Sequence, residues 1–266
     1  MIPVKKLSKP TKLDNVQTAA KIEAIKKAVR KKVRAKEKLN SELDFPNLWT
    51  AIKEDLFELN HKKCAYCETI HRAKRLLDVE HFRPKAGIKG ELHTGYWWLA
   101  YDTDNMFLAC KVCNSDHKGT QFPLKNKKRA KNERSNLAHE QPMLIDPSVE
   151  DPSNFIGYVY KNGTYPVVIA VGIDADDRGY NTIKICGLRD DDLNASRAEN
   201  INLLESLKIR MICARENGNQ VIIDELANQI KAATQANKQY AGARRWYFQD
   251  AGLGMYVAND RYKPVF

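Results

Sequence analysis

Two Cys-x-x-Cys pairs, Cys64/Cys67 and Cys110/Cys113, constrain this 266-residue chain more than any other feature. Four thiols at that spacing match a tetrahedral zinc site built from two knuckles. Modules of this kind ordinarily separate their pairs by about 12–20 residues. Here 42 residues lie between Cys67 and Cys110. A zinc ion bound there clamps the base of a long insertion, and the insertion is where function is expected. The start of the chain, Met1-Ile2-Pro3-Val4-Lys5-Lys6, has no apolar signal region, so disulfides are not expected. Cys186 and Cys213 fall in apolar, helix-like segments and read as buried packing residues.

Composition narrows the class. With 43% hydrophobic and 9% aromatic residues, the chain has the means to build a core. No apolar run approaches the roughly 18–20 residues of a membrane span, which leads us to expect a soluble, cytoplasmic protein with no membrane partner. There are 44 Lys+Arg against 33 Asp+Glu, a net charge of +11. The excess is confined to the first half. Residues 1–150 hold 30 basic and 19 acidic side chains, and residues 151–266 hold 14 of each. Such a balance points to a polyanionic partner and says nothing of fold. At finer grain, residues 1–40 carry 13 basic and 3 acidic side chains, and residues 125–134 carry six and one. The intervening residues 41–124 carry 11 and 12. The knuckle region is therefore not itself basic. The two basic segments flanking it read as docking elements for a nucleic-acid backbone or a nucleic-acid-containing partner.

Along the chain, residues 14–40 predict a helix with Val16, Ala20, Ile22, Ile25, Val29 and Val33 on one stripe. A second helix is expected after Phe45-Pro46, running toward the first knuckle. Leu76–Phe82 reads as a short strand, Gly95–Tyr101 as aromatic core, and Met106–Ala109 as an apolar run into the second knuckle. Lys125–Arg134 reads as a solvated loop or extended arm. Phe155–Tyr160 and Pro166–Val171, joined through Asn162-Gly163, predict a hairpin. A helix from Asp176 or Asp177 through Cys186, closed by Gly187, should follow. Two more are expected over about 191–216 and 221–240, with Gly218 between them. The fold class is α+β and mostly helical. We divide it into a basic N-terminal helix (1–44), a zinc-binding core (45–135) and a C-terminal accessory region (136–266).

The insertion holds a pattern that carries chemistry. Glu80-His81 is followed 24 residues later by Asn105, which precedes Cys110 by five; Asn114 directly follows Cys113, and His117 lies three beyond. This is the order of an HNH nuclease motif, a ββα-metal site. Phosphodiester hydrolysis needs a deprotonated water, and His81 suits a general base because imidazole titrates near working pH. A divalent cation stabilises the leaving oxygen. Glu80 offers it a hard carboxylate oxygen, with Asn114 or His117 as a further ligand. Asn105 is better suited to orienting His81 than to ligating. Strand alternation would put Glu80 and His81 on opposite faces, so both serve one site only if the strand ends or bulges there. His71 and His93 have no partner in the pattern.

These motifs carry a family resemblance. Cys-Ala-Tyr-Cys-Glu (64–68), Val-Glu-His-Phe-Arg-Pro-Lys (79–85), Gly-Tyr-Trp-Trp-Leu-Ala-Tyr (95–101), Leu-Ala-Cys-Lys-Val-Cys-Asn (108–114) and Gln-Phe-Pro-Leu (121–124) resemble the HNH component of Septu-type antiphage defence. Related proteins accompany some retrons. The segments 144–152 and 182–188 extend the resemblance. It implies an HNH endonuclease, structural Zn²⁺, catalytic Mg²⁺ or Mn²⁺, and a complex with an ABC-type ATPase. Where a retron is present, a reverse transcriptase and its RNA–DNA hybrid join the assembly. Carried over, His81 matches the general base, Asn105 the middle Asn, and Cys64, Cys67, Cys110 and Cys113 the zinc ligands. Asn114 stands where the family often has its final His, and His117 competes for that role. The rival readings are a non-catalytic, zinc-dependent nucleic-acid-binding module and a scaffolding subunit.

Overall fold

A computed structural model describes residues 1–126, 128–161 and 163–259. It is a mixed helical and β structure whose strands form two separate two-stranded antiparallel sheets among the described residues. The chain divides into two compact units. One comprises Lys5–Cys64 and His71–Asp146; the other comprises Met1–Val4, Ala65–Ile70 and the chain from Pro147 onward.

The first unit opens with helix α1 (Val16–Arg34). It is shorter than the expected 14–40 at both ends, for local reasons. Asn15 is the N-cap, its side chain accepting from the Thr18 N–H at 2.9 Å. At the other end Ala35 caps the last turn and Lys36 adopts a left-handed φ of 59°, which a continuing helix does not allow. The expected second helix begins as a 3₁₀ turn, Leu48–Ile52, and becomes regular only in α2 (Lys53–Leu59).

Strand β1 (Leu77–His81) then pairs with β2 (Met106–Cys110). Leu77 lies opposite Cys110 and His81 opposite Met106. A seven-residue π-helical segment, Val112–Lys118, follows β2 directly. The aromatic core beside this hairpin joins Phe82, Phe122 and Tyr96, with Phe82–Phe122 ring centroids 5.2 Å apart at 85° and Tyr96–Phe122 at 5.6 Å. Edge-to-face pairs of this kind add about 0.5–1.5 kcal/mol beyond the area they bury. The Gly95–Tyr101 stretch is core, as its composition predicts, with Tyr96 and Ala100 fully buried. Lys125–Arg134 contains no helix or strand among its described residues; Lys127 lies outside them. It is stitched down by Glu140, whose carboxylate accepts from the Ala130 N–H (2.9 Å), Tyr96 Oη (2.7 Å) and Arg83 Nε (2.9 Å).

The second unit holds the expected hairpin, β3 (Ile156–Lys161) and β4 (Val167–Gly172). Asn162 of its turn lies outside the described residues. Helix α3 (Arg178–Ile185) ends at Cys186 and Gly187, the latter at φ 65°, as the glycine predicts.

Two expectations fail beyond this point. The single helix over 191–216 is two, α4 (Asp191–Asn202) and α5 (Glu205–Glu216). The break falls at Leu203-Leu204, where the Leu204 N–H bonds Ile201 O, three residues back, at 2.8 Å. The turn leaves Leu203 exposed and buries Leu204. The helix over 221–240 stops early, as α6 (Gln220–Ala233). Thr234 ends it: its hydroxyl donates to Ile230 O at 2.8 Å and accepts from the Ala258 N–H at 2.8 Å. A further helix, α7 (Ala241–Asp250), has no counterpart in the sequence reading. Cys186 is buried as expected, but Cys213 is exposed, because it lies on the outer side of α5. Among the described residues no helix is long and apolar enough to cross a membrane.

Candidate functional site

The two knuckles come together. Cys64, Cys67, Cys110 and Cys113 are buried, and their four Sγ atoms lie within 4.8 Å of one another. None of the four is in a disulfide. Sulfurs on a tetrahedron about a zinc ion, each about 2.3 Å from the metal, sit under 4 Å apart. The cluster therefore fits a four-thiolate ion, and the four cysteines could hold zinc. Thr69 Oγ1 lies 3.2 Å from Cys67 Sγ, a polar neighbour of the kind that orients a ligand.

The β1–β2 register places His81 four residue pairs from Cys110. The His81 side chain is buried, its ring meeting that of Trp49 edge-on, with centroids 4.9 Å apart at 84°. Its Nε2 lies 2.9 Å from Ala100 O. A carbonyl only accepts, so Nε2 carries the proton and Nδ1 keeps its lone pair. Burial, first, and the positive charge of Lys85, second, push the imidazole pKa down to about 3, against the bond to Ala100, which raises it. His81 is thus neutral near pH 7.

Asn105, also buried, braces both chain segments that hold this imidazole. Its Oδ1 accepts from the Arg83 N–H at 2.8 Å, and its Nδ2 donates to Arg83 O at 3.0 Å. The same Nδ2 reaches Leu99 O at 3.4 Å, next to Ala100. Asn105 therefore ties the backbone two residues past His81 to that of Leu99, beside the Ala100 carbonyl that holds the ring.

The candidate divalent-ion ligands are placed differently from one another. Glu80 is buried and forms an ion pair with Lys118, whose side chain is fully buried. Lys118 Nζ also donates to His81 O at 3.1 Å. Asn114 lines a cleft of about 510 Å³, together with Trp49, Thr50, Lys53, Val79 and Lys85. Glu42 and Asp78 line it too, whereas His81, behind Trp49, does not, nor do Glu80 and His117; His117 is exposed. Lys85 Nζ stands 5.0 Å from the Trp49 ring centroid.

The site thus includes four participants to which the sequence reading gave no role: Trp49, Lys85, Lys118 and the Ala100 carbonyl. A backbone acceptor leaves no trace in a sequence. Lys118 left a faint one, four residues past Asn114 and therefore about one helical turn from it.

The chain is 29% identical over 167 residues to the Septu protein PtuB of Bacillus mycoides (strain KBAB4). The matched segment is 61% of this chain and 55% of that relative, so the chain spans about half the length of the curated relative it matches. No protein-family model matches the chain, and no solved structure does. The similarity supports the Septu-type resemblance read from the motifs.

Proposed function

We propose that this chain is an HNH endonuclease subunit of an antiphage defence system, hydrolysing phosphodiester bonds of nucleic acid. The observation that carries the reading is His81: a buried, neutral imidazole with Nε2 fixed on Ala100 O and Nδ1 left as a base. The β–β–helix order of Leu77–His81, Met106–Cys110 and Val112–Lys118, with the cysteine cluster at its base, supports it. In this reading a substrate phosphate enters the cleft beside Lys85, Lys53 there being paired with Asp78 at 3.7 Å. A phosphate bound at Lys85 offsets the charge that helps hold His81 neutral, so the imidazole gains basicity as substrate arrives. Nδ1 then takes the proton of the attacking water.

The resemblance also calls for catalytic Mg²⁺ or Mn²⁺. The donors fit such an ion only in part. Asn114 lines the cleft, but Glu80, the carboxylate of the set, is neutralised by Lys118. The steps above therefore use the chain's own groups alone. The same ion pair is the observation that favours the second reading, a non-catalytic nucleic-acid-binding or scaffolding subunit. The complex with an ABC-type ATPase, and with a retron reverse transcriptase and its RNA–DNA hybrid where a retron is present, belongs to the proposal through the resemblance.

The test is His81→Ala in the reconstituted complex, assayed on phage and host nucleic acid with Mg²⁺ and Mn²⁺. Cleavage is expected to vanish while zinc content and folding persist. Wild-type cutting by the variant removes His81 from the chemistry, and a wild-type complex that binds nucleic acid but never cuts supports the second reading.

A further inference from the structure

The two basic segments of the sequence, about a hundred residues apart, meet in space. Arg30 of α1 donates from Nε and Nη2 to the two oxygens of Glu133, at 3.1 and 2.8 Å. The Glu133 carboxylate is held below its ordinary pKa by Arg30 and, more weakly, by the charges of Arg134 and Lys26. The arm 125–134 therefore meets α1 at Glu133.

The helix presents a defined side there. At about 100° per residue, Ile22, Ile25, Val29 and Val33 form the inner stripe, of which Val29 is fully buried. Lys26, Arg30, Arg34, Lys27 and Lys31 follow one another around an adjoining arc of about 140°. From residue 26 to residue 34 this arc holds only Lys and Arg; one turn earlier the exposed Glu23 shares it and acts on Arg30. Lys27, Lys31 and Arg34 are exposed, and so are Lys128, Lys131 and Arg134 on the arm. Arg129, by contrast, turns inward to Glu91 and Tyr96 and adds nothing to the surface.

We infer that the outer arc of α1 and the adjoining arm form one composite surface that binds a nucleic-acid phosphate backbone. A protein interface is centred on aromatic and apolar anchors, and this arc has none. Rows of Lys and Arg without such anchors suit phosphates, whose binding releases counterions and depends steeply on salt. The inference concerns binding and does not require His81 to be catalytic.

The test is fluorescence anisotropy with labelled duplex DNA, single-stranded DNA and RNA of equal length, using the full chain without added divalent ions at several salt concentrations. One variant carries Lys27→Gln, Lys31→Gln and Arg34→Gln; a second carries Lys131→Gln and Arg134→Gln. Each is expected to weaken binding at least fivefold near 100 mM salt. Each should also flatten the log–log salt slope by about 0.9 per lost duplex contact. Lys21→Gln, on the far side of α1, should leave Kd within twofold. The three oligonucleotides show which backbone is preferred. The inference fails if neither variant changes affinity or slope while circular dichroism stays native. It fails equally if Lys21→Gln weakens binding as much as the others, since undirected charge would then suffice. Loss of association with an acidic protein partner, with nucleic-acid affinity intact, also overturns it.

Discussion

Lys118 reaches back from the segment after the second knuckle to Glu80, and its ammonium also holds the backbone carbonyl of His81. Both partners are buried. Removing one charge of such a pair leaves the other uncompensated, a cost of about 3–5 kcal/mol. Lys118→Met should lose that much in urea unfolding. The double variant Lys118→Met/Glu80→Met should recover most of it, because two apolar groups replace two charges. A double variant no more stable than the single one excludes the pairing.

Asn105 uses one amide to satisfy both the N–H and the C=O of Arg83. Asn105→Ala strands these groups where solvent is scarce, at about 1–3 kcal/mol for each buried group left unmade. We expect a loss of about 2–4 kcal/mol in chemical denaturation. Asn105→Asp, which keeps an acceptor for the Arg83 N–H but no donor for its carbonyl, should fall between wild type and Ala. Equal stability of all three would show that the bonds hold nothing.

The buried imidazole makes stability depend on acid. His81 has its pKa lowered to about 3 in the fold, while in the unfolded chain it is about 6.5. Between those values the unfolded state binds the proton and the folded state does not. Stability contributed by the neutral form is thus whole above about pH 6.5 and drains away as pH falls toward 3. From pH 7 to pH 4 the loss is about 3 kcal/mol from this group. His81→Phe keeps an aromatic ring against Trp49 and should show a shallower fall over that range by about that amount, measured by urea unfolding at each pH. Parallel curves for the two proteins would reject the linkage.

The cysteines sort by environment. Cys64→Ser or Cys110→Ser should bring bound zinc below one per chain by elemental analysis and disorder the hairpin unit, since metal binding is folding energy in such sites. Cys186→Ser should leave zinc content unchanged. Cys213, the one exposed thiol, should react first with a maleimide in the native protein. Full zinc in the Cys64 or Cys110 variant would dismantle the four-thiolate site.

Much of this arrangement could be read in advance where chemistry is local. Spacing alone picked the four cysteines; the strand carrying His81 was marked by the Arg83-Pro84 that bounds it, and the hairpin expected over 155–160 and 166–171 by its strand runs and turn residues. Gly187 marked a helix end because a left-handed residue there favours glycine. What escaped depended on contacts distant in sequence. Leu203-Leu204 has no breaker residue, and the helix parts there because Leu204 is drawn inward. Thr234 ends a helix through a bond to Ala258, 24 residues on. At the site, Glu80 reads as an open carboxylate until Lys118 is seen beside it. The orienting partner of His81 is a carbonyl that any residue at position 100 would provide.

The pairing of Leu77 with Cys110 and His81 with Met106 makes the hairpin a ruler between the metal-type cluster and the imidazole. Its two ends have opposite tolerance for length change. A residue inserted among 84–95 enlarges a loop, and the interval between the knuckles can drift in evolution at little cost. A single residue inserted within Met106–Cys110 would carry the second knuckle about 3.4 Å along the strand and turn it to the other side of the sheet. Lineages of this chain should therefore vary in the span of the insertion while the five-residue count from Met106 to Cys110 stays frozen.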